Sequence, residues 1–496
     1  MSSACLPPRL PSPRIALLAA LVFLLWSVVG ATWFLRTYLG LVTSDQVLFH
    51  LQHGGMDYAD PRMLWRAFRC LCAVLLLTVA SGWLLLRLRR WHRLPLLALL
   101  GTGAVVSVNA TVSDPCQPEP DGSDFLARHY VDPASLSLQL PAARPDVLLV
   151  FVESLDEGYT RTRPPAAPLL PRLTRLQSDF QTLGGLHNLS GSSWTVGGIF
   201  SALCGLPLQP VGLMSRNSLE YSQGFFEGGR CLTDLLAANG WEISFYGGAS
   251  LQFAGKGQFL QDHHVARRFG AEQWRQAGLP VPTGGWGLLD SDLADLAWAD
   301  MQRPRHADEA RMSLLLTVDT HGPGGARDAG CSTGQPQAAD EDDDDVPAEL
   351  MRGALRCTDR VVARLVQRFV AQRDGRPKVV WLMGDHVNPR PVLNADLLPE
   401  PAGRTVFHAL ARYDADGRML PAVDGRRQFT HVDIAATLAE AMGLSWAPQA
   451  HRLGLGVSLL APSQPATLIE RDGIGRVDGR LSCRSPLFQR LWLNAA

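Results

Sequence analysis

The chain has 496 residues, which is too long for one ordinary hydrophobic core and is typical of roughly two to four structural units. Its formal net charge is -1, and this near-neutral balance excludes the strongly basic class of nucleic-acid-binding proteins. Apolar residues make up 46% of the chain and are concentrated before residue 110. This uneven distribution indicates a membrane segment fused to a soluble domain.

Three apolar stretches at the N-terminus are candidate membrane spans, at residues 15–35, 70–86 and 94–112. A run of about 20 apolar residues matches the thickness of the hydrocarbon core of a bilayer. A cleaved signal peptide explains one such stretch but not three. The third stretch is interrupted by Gly101, Gly103 and Asn109, so a buried core helix is the alternative there. We expect a membrane domain of about three helices over residues 1–112.

Arginine placement predicts the orientation of these helices. The arginines on the side that we expect to face the cytoplasm flank the first helix and the turn between the second and third, namely Arg9, Arg14, Arg87, Arg89, Arg90 and Arg93. Those on the other side are Arg36, Arg62, Arg66 and Arg69, so the bias is modest. It places the N-terminus inside and, after three crossings, the chain beyond residue 112 outside.

The cysteine distribution agrees with an outside location. Six cysteines lie beyond the membrane part, an even number suited to a compartment that permits disulfides: Cys116, Cys204, Cys231, Cys331, Cys357 and Cys483. Fifteen pairings of six cysteines exist. We favour the sequence neighbours Cys204–Cys231 and Cys331–Cys357; the alternative is that some of the six are free, buried thiols.

Residues 113–144 are rich in Pro, Asp and Ser, and this composition predicts a linker along the membrane surface. The remaining residues, 145–496, are then expected to form one extracytoplasmic catalytic domain. Within it, residues 340–345 are consecutive acidic residues. Adjacent carboxylates repel one another and lack the alternating spacing of a calcium loop, so we expect a solvated, flexible loop in preference to a calcium site.

The soluble part alternates between strands and helices. Residues 147–152 are continuously apolar, as in a strand buried on both faces of a parallel sheet, and similar runs cover 242–246, 313–318 and 378–383. Helical stretches lie between them at 231–239, 289–301 and 350–373. This alternation predicts a doubly wound α/β domain.

Polar residues follow each predicted strand at the edge where such sheets bind ligands. Glu153 ends the first run, Gly247-Gly248 the second, His321 follows the third, and Asp385-His386 end the fourth. For Glu153, the alternative is a carboxylate that caps its own helix. We expect all four strand ends to meet at one edge.

A glycine-bracketed segment, residues 191–198, carries three hydroxyls and precedes an apolar run at 199–203. It predicts a loop followed by a helix, with a hydroxyl near the helix N-terminus. Free backbone N–H groups and the helix dipole make such a position a natural phosphate site. A hydroxyl there is a candidate nucleophile if its pKa is lowered.

Glu153, Thr195, Asp385 and His386 together predict a metal site of mostly oxygen ligands with one imidazole. This mixture suits Mn²⁺, Mg²⁺ or Zn²⁺ more than a soft metal. A divalent ion at Thr195 would stabilise its alkoxide and polarise a phosphoryl oxygen beside it.

These residues carry a family resemblance. Residues 193–198, followed by 204–207, resemble the nucleophile segment of phosphoglycerol transferase I, a family that decorates periplasmic glucans. That family belongs to the alkaline phosphatase and sulfatase superfamily, as does lipoteichoic acid synthase. The superfamily is also matched by residues 253–256, 316–321, 384–386, 431–438 and 454–459. The acidic stretch between Cys331 and Cys357 and the tail after residue 460 have no such match.

The resemblance implies an alkaline phosphatase/sulfatase-like fold and a role for each candidate residue. Thr195 is the implied nucleophile and, with Glu153, Asp385 and His386, holds one divalent metal, Mn²⁺ being favoured over Mg²⁺ or Zn²⁺. His321 then contacts the phosphate or acts as acid and base. Its alternative reading is a structural histidine at a strand end.

Lys256 falls where lipoteichoic acid synthases carry an arginine that binds glycerol phosphate. A lysine supplies a point charge instead of a bidentate fork, so the match is inexact. The alternative is a plain surface lysine.

The activity implied by the resemblance moves phosphoglycerol from phosphatidylglycerol to a periplasmic glucan. It proceeds through a glycerophosphoryl-threonine and releases diacylglycerol. The location implied is the bacterial inner membrane, with the catalytic domain in the periplasm. Two alternatives stay open, a phosphoethanolamine transferase and a non-catalytic membrane sensor or scaffold. A sulfatase is set aside because residues 194–198 lack the Cys/Ser-x-Pro-x-Arg setting of a formylglycine.

Overall fold

The chain divides after residue 115 into two compact units, which are described separately. The computed structural model describes residues 13–38, 61–88, 90–111, 116–164, 167–209, 219, 224–282, 286–306, 308–321, 331, 348–388, 393, 397–398, 403–421, 425–448 and 451–493. The acidic run 340–345 lies outside these residues, so its prediction is not addressed by the structure.

The N-terminal unit consists of helices in its described part. They are α1 (Pro13–Tyr38), α2 (Pro61–Arg87) and α3 (Arg90–Thr111). Helix α1 packs against both others, and Trp26 Nε1 donates a hydrogen bond of 2.9 Å to Ser81 Oγ between α1 and α2. The unit therefore has a packed interior of its own.

Two of these helices are long and apolar enough to cross a bilayer, through Ile15–Phe34 and Ala67–Arg87. The apolar part of α3 is shorter, Leu94–Asn109. Large apolar side chains such as Leu17, Leu76 and Leu94 are exposed. An exposed apolar surface of this extent suits contact with lipid, so the unit is suited to anchor the chain in a membrane.

The second unit is built on a six-stranded sheet of order β5-β4-β6-β2-β7-β8. Its strands are β2 (Asp146–Val152), β4 (Trp241–Gly247), β5 (Arg267–Phe269), β6 (Ala310–Leu316), β7 (Lys378–Gly384) and β8 (His408–Tyr413). All adjacent pairs are parallel except β7 and β8. Every residue of β2 is buried, because the sheet is covered on both faces. The predicted α/β fold is confirmed.

Strand β6 is shorter than the predicted run to residue 318. Its ladder ends at Leu316, and the Val318 backbone N–H donates instead to Asp290 Oδ1, at 2.7 Å. Asp290 begins a helix beside the sheet, so the chain leaves the strand to satisfy that carboxylate. This exit directs the following residues, up to His321, over the carboxyl edge.

Helices of the second unit surround this sheet. They are α4 (Phe125–His129), α5 (Pro171–Asp179), α6 (Thr195–Cys204), α7 (Leu232–Ala238), α8 (Lys256–Asp262), α9 (Ala271–Gln276), α10 (Asp290–Met301), α11 (Ala348–Ala371), α12 (Ile434–Ala441), α13 (Leu468–Asp472), α14 (Ile474–Leu481) and α15 (Pro486–Leu493). Small strand pairs complete the unit: β1 (Ser137–Gln139) with β10 (Ser445–Ala447), β3 (Gly184–His187) with β9 (Arg427–Thr430), and β11 (Arg452–Leu453) with β12 (Gly456–Val457). The three predicted helices correspond to α7, α10 and α11.

Residues 116–144 are folded onto the second unit, in place of the predicted linker. Phe125 and Leu126 of α4 are buried, and β1 pairs with β10. Asp124 caps α4 and accepts a hydrogen bond of 2.9 Å from Ser485 Oγ in the tail. Because most residues of this segment are polar, its few buried apolar residues did not stand out in the sequence.

Three disulfides are present among the residues that the structure describes. Cys204–Cys231 and Cys331–Cys357 confirm the favoured pairing of sequence neighbours. The third, Cys116–Cys483, joins the start of this unit to its C-terminal tail. All six extramembrane cysteines are therefore paired, and none is a free thiol.

Candidate functional site

The site begins where the central strands β2 and β7 end. Val152 lies opposite Gly384 in the parallel ladder, so the next residues, Glu153 and Asp385, emerge side by side. The Asp385 N–H donates to the Val152 carbonyl oxygen at 3.2 Å. The Ser154 N–H donates to Asp385 Oδ1 at 2.8 Å. Both carboxylates are thereby held at the carboxyl edge, as predicted from the strand ends.

Thr195 reaches these carboxylates from the first turn of α6. The residue before it, Trp194, has extended backbone angles, so the helix begins at Thr195 itself. Thr195 Oγ1 donates to Glu153 Oε2 at 3.2 Å. Glu153 does not cap a helix of its own, since a turn follows it. The structure thus places the predicted nucleophile at a helix N-terminus and beside a predicted metal ligand.

Gly198 allows α6 to approach this edge closely. A Cβ built on Gly198 would overlap the carbonyl oxygen of Asp385. Any side chain at this position would push the helix away from the strand end. The glycine of the predicted segment is therefore a packing requirement of the site.

His386 completes the group. Its Nε2 lies 3.4 Å from Glu153 Oε1 and 3.5 Å from Asp385 Oδ2. Its Nδ1 is 2.8 Å from the Val387 carbonyl oxygen and donates to it, so Nε2 is the ring nitrogen directed at the carboxylates. Ligand atoms of all three residues lie within 4.8 Å of one another. This spacing would allow the three residues to hold a metal ion, and we call them the metal-ligand group.

The electrostatics of this group fit a divalent cation. Asp385 Oδ2 is buried and accepts no hydrogen bond within the described part of the chain. Burial and the neighbouring Glu153 raise the pKa of Asp385. Burial opposes ionisation of Glu153 too, but His321 and His386 lower its pKa below the usual range. The two crowded carboxylates repel one another, and a divalent cation bound between them would relieve that repulsion.

Lys256 is buried, with 2% of its surface exposed, which excludes the surface-lysine alternative. It begins α8, after Gly255 in a left-handed conformation with φ of +70°. Burial lowers the pKa of Lys256 to about 8, although Glu153, Glu272 and Asp385 act in the opposite direction. This buried amine therefore lies close enough to Glu153 and Asp385 for their charges to act on its pKa.

His321 lies over the same edge. Its backbone N–H donates to the Val318 carbonyl oxygen at 3.0 Å, and its ring lies close enough to Glu153 to lower the pKa of that carboxyl. The ring lies against Trp286, with 4.0 Å between the ring centroids. His321 Nδ1 is buried and has no hydrogen-bond partner among the described residues. Its imidazole is thus available to a ligand.

The sequence interpretation missed the residues that connect these groups. Asn188 Nδ2 donates to the Ser192 carbonyl oxygen at 2.8 Å, and its Oδ1 accepts from the Val387 N–H at 2.8 Å. One amide therefore joins the segment before Thr195 to the loop after His386. No periodicity or motif marked Asn188, because the contact bridges distant parts of the chain.

Two threonines hold the Glu153 backbone. Thr317 Oγ1 accepts from the Glu153 N–H at 3.0 Å, and Thr320 Oγ1 donates to the Glu153 carbonyl oxygen at 2.6 Å. Both lie in residues 316–321, which resemble the superfamily. From that resemblance, a role was predicted only for His321.

A second cluster, Cys231, Asp234 and His263, has metal-like spacing. Cys231 is in a disulfide and cannot ligate. His263 Nδ1 is 2.8 Å from Asp234 Oδ2, and its Nε2 faces the Phe225 carbonyl oxygen at 3.1 Å. These hydrogen bonds occupy both ring nitrogens. We therefore assign no metal to this cluster.

Comparison with known proteins places this geometry in context. The family model described as Sulfatase matches residues 145–444. Phosphoglycerol transferase I of Xanthomonas euvesicatoria pv. vesicatoria is 28% identical over 469 residues, covering 92% of this chain and 63% of that protein. Phosphoglycerol transferase I of Escherichia coli is 25% identical over 373 residues, covering 73% and 47%. The chain spans less than two thirds of the length of these relatives.

A solved structure shares the fold. The integral membrane protein lipooligosaccharide phosphoethanolamine transferase A from Neisseria meningitidis aligns with a TM-score of 0.51 and 13% identity. The alignment covers 88% of this chain and 85% of that one.

Proposed function

The chain belongs to the Sulfatase family, and from this premise we propose that it is a metal-dependent transferase anchored in a membrane. It moves phosphoglycerol from phosphatidylglycerol to a periplasmic glucan. The observation that carries the proposal is the Thr195 hydroxyl, at a helix N-terminus and 3.2 Å from a carboxylate of the metal-ligand group. The likeness to phosphoglycerol transferase I over most of the chain supports phosphoglycerol as the transferred group.

Glu153, Asp385 and His386, with Thr195, would hold one divalent ion, and we propose Mn²⁺ in preference to Mg²⁺ or Zn²⁺. When bound, the ion supplies positive charge that lowers the pKa of the hydroxyl and offsets charge on the phosphoryl group. The orphaned Asp385 oxygen supports this assignment.

In the first step, Thr195 Oγ attacks the phosphorus of phosphatidylglycerol. The bond from phosphorus to the diacylglycerol oxygen breaks, and a glycerophosphoryl-threonine remains. The Thr195 hydroxyl, which donates to Glu153 Oε2, gives up its proton to solvent before the attack and reacts as the alkoxide. His321 gives a proton to the departing diacylglycerol oxygen.

In the second step, a hydroxyl of the glucan attacks the same phosphorus. His321 takes the proton of that hydroxyl, the bond between phosphorus and Thr195 Oγ breaks, and Thr195 is released as the alkoxide that began the first step. Each step accumulates negative charge on the non-bridging oxygens. The buried ammonium of Lys256 offsets that charge most effectively in a site that excludes water.

The proposed location is the bacterial inner membrane, with residues 1–112 as the membrane domain and the chain from residue 116 onward as a periplasmic catalytic domain. The two long apolar helices support the anchor. The three disulfides support an oxidising compartment outside the cytoplasm.

The test uses the full chain in detergent with Mn²⁺ and phosphatidylglycerol whose glycerol head group is labelled. The expected result is release of diacylglycerol and transfer of label to added glucan, both stopped by a chelator. Turnover of phosphatidylethanolamine instead of phosphatidylglycerol would support the phosphoethanolamine alternative. Hydrolysis of an aryl sulfate without either transfer would contradict the proposal.

A further inference from the structure

Two aromatic side chains stand together beside the proposed acid and base. Trp286 lies against His321, with 4.0 Å between ring centroids. Phe253 meets Trp286 edge to face, at 5.5 Å and an interplanar angle of 83°. Trp286 keeps 37% of its surface exposed. We call these two residues the aromatic wall.

The wall is fixed to the end of β4. The Leu288 N–H donates to the Gly248 carbonyl oxygen at 3.0 Å. Gly287 has φ of +127°, and a Cβ there would overlap the same carbonyl oxygen. The loop that carries Trp286 is therefore closely packed on the sheet edge. An indole that is both anchored and exposed presents a rigid surface to a ligand.

The wall extends from His321 to the short turn that leads into α8. Phe253 begins a short 3-10 helix that leads directly into α8 at Lys256, and Trp286 contacts His321. Lys256 and His321 both act on Glu153. The wall therefore borders the group attached to the oxygen that His321 protonates or deprotonates.

We propose that the aromatic wall is the platform on which a sugar ring of the acceptor stacks, an inference that rests on the proposed function. A sugar ring has an apolar face of C–H groups and a polar rim, so a flat aromatic surface can bury the face while the rim hydroxyl points to His321. The wall itself carries no charge, and this suits a neutral acceptor. The phosphate would be bound by Lys256 and the metal-ligand group.

The test measures how the glycerophosphoryl-threonine divides between glucan and water. The ratio of labelled glucan to free glycerol phosphate is followed against glucan concentration for wild type, Trp286→Ala and Trp286→Phe. Both products arise from the same glycerophosphoryl-threonine. A variant that forms this intermediate more slowly therefore makes less of both products, and their ratio does not change. The matched control is Ile474→Ala, an exposed apolar truncation in α14.

For Trp286→Ala, we expect the slope of the ratio against glucan concentration to fall roughly tenfold, equivalent to about 1.4 kcal/mol. Trp286→Phe should recover part of the slope, and Ile474→Ala should keep all of it. An unchanged slope in Trp286→Ala would overturn the inference, as would a loss confined to diacylglycerol release, which would assign the wall to the lipid. Absence of release in the wild type would instead refute the proposed function.

Discussion

Gly198→Ala offers a sharp test of how α6 positions the nucleophile. Gly198 is buried in the first turns of α6, and its added Cβ would overlap the Asp385 carbonyl oxygen. Real Cβ atoms are essentially never found under 3.0 Å from such an atom. The helix and the strand end must therefore separate by about 1 Å, and displacements of this size cost roughly 100-fold in rate at a catalytic centre.

We expect diacylglycerol release by Gly198→Ala to fall at least about 100-fold. The free energy of unfolding should fall by about 1–3 kcal/mol, the usual cost of overpacking. Release is measured with saturating phosphatidylglycerol and Mn²⁺ at a temperature below the Tm of the variant. Unfolding is followed in parallel by denaturant titration.

The matched control is Gly353→Ala in α11, where an added Cβ meets no atom within 4 Å. It should leave release unchanged and stabilise the fold by about 0.4–1 kcal/mol, because alanine restricts the unfolded chain. If Gly198→Ala kept wild-type release, contact between α6 and Asp385 would not be what sets the position of Thr195.

Three further predictions follow from the same contacts. Asp385→Asn removes a ligand charge and should weaken Mn²⁺ binding by at least about tenfold, measured by calorimetry; unchanged affinity would place the ion elsewhere. Asn188→Ala breaks the link between the Ser192 carbonyl oxygen and the Val387 N–H and should lower kcat more than it raises KM. Burial lowers the pKa of His408 to about 4, so the unfolded state binds more protons than the folded state between pH 6.5 and 4. The free energy of unfolding of the wild type should therefore fall as the pH is lowered through that window. The fall should exceed that of His408→Gln by up to about 3 kcal/mol.

The strand ends were predictable because parallel strands bring their carboxyl ends to one edge. Glu153 and Asp385 each follow a continuous apolar run, and the ladder that pairs Val152 with Gly384 places them together. Thr195 was predictable from the glycine and hydroxyl pattern of a helix start. Local pattern therefore sufficed to predict that these residues lie together, while their role as metal ligands stays a prediction.

Contacts between distant segments were not predictable from local pattern. Cys116 and Cys483 are 367 residues apart, and no spacing rule selects that pair. Lys256 is buried although lysine is ordinarily a surface residue, so the residue type alone predicts an exposed side chain. Trp286 lies in a loop outside every motif and reaches His321 only through the packing of that loop on β4.

The central claim is that Thr195 carries the glycerophosphoryl group. The most direct measurement incubates the full chain with Mn²⁺ and phosphatidylglycerol labelled in the glycerol phosphate, without glucan, and then quenches and digests it. The account predicts label on the peptide that contains Thr195 in the wild type and none in Thr195→Ala, whose diacylglycerol release is also lost. Label on another residue, or continued release by Thr195→Ala, would contradict it.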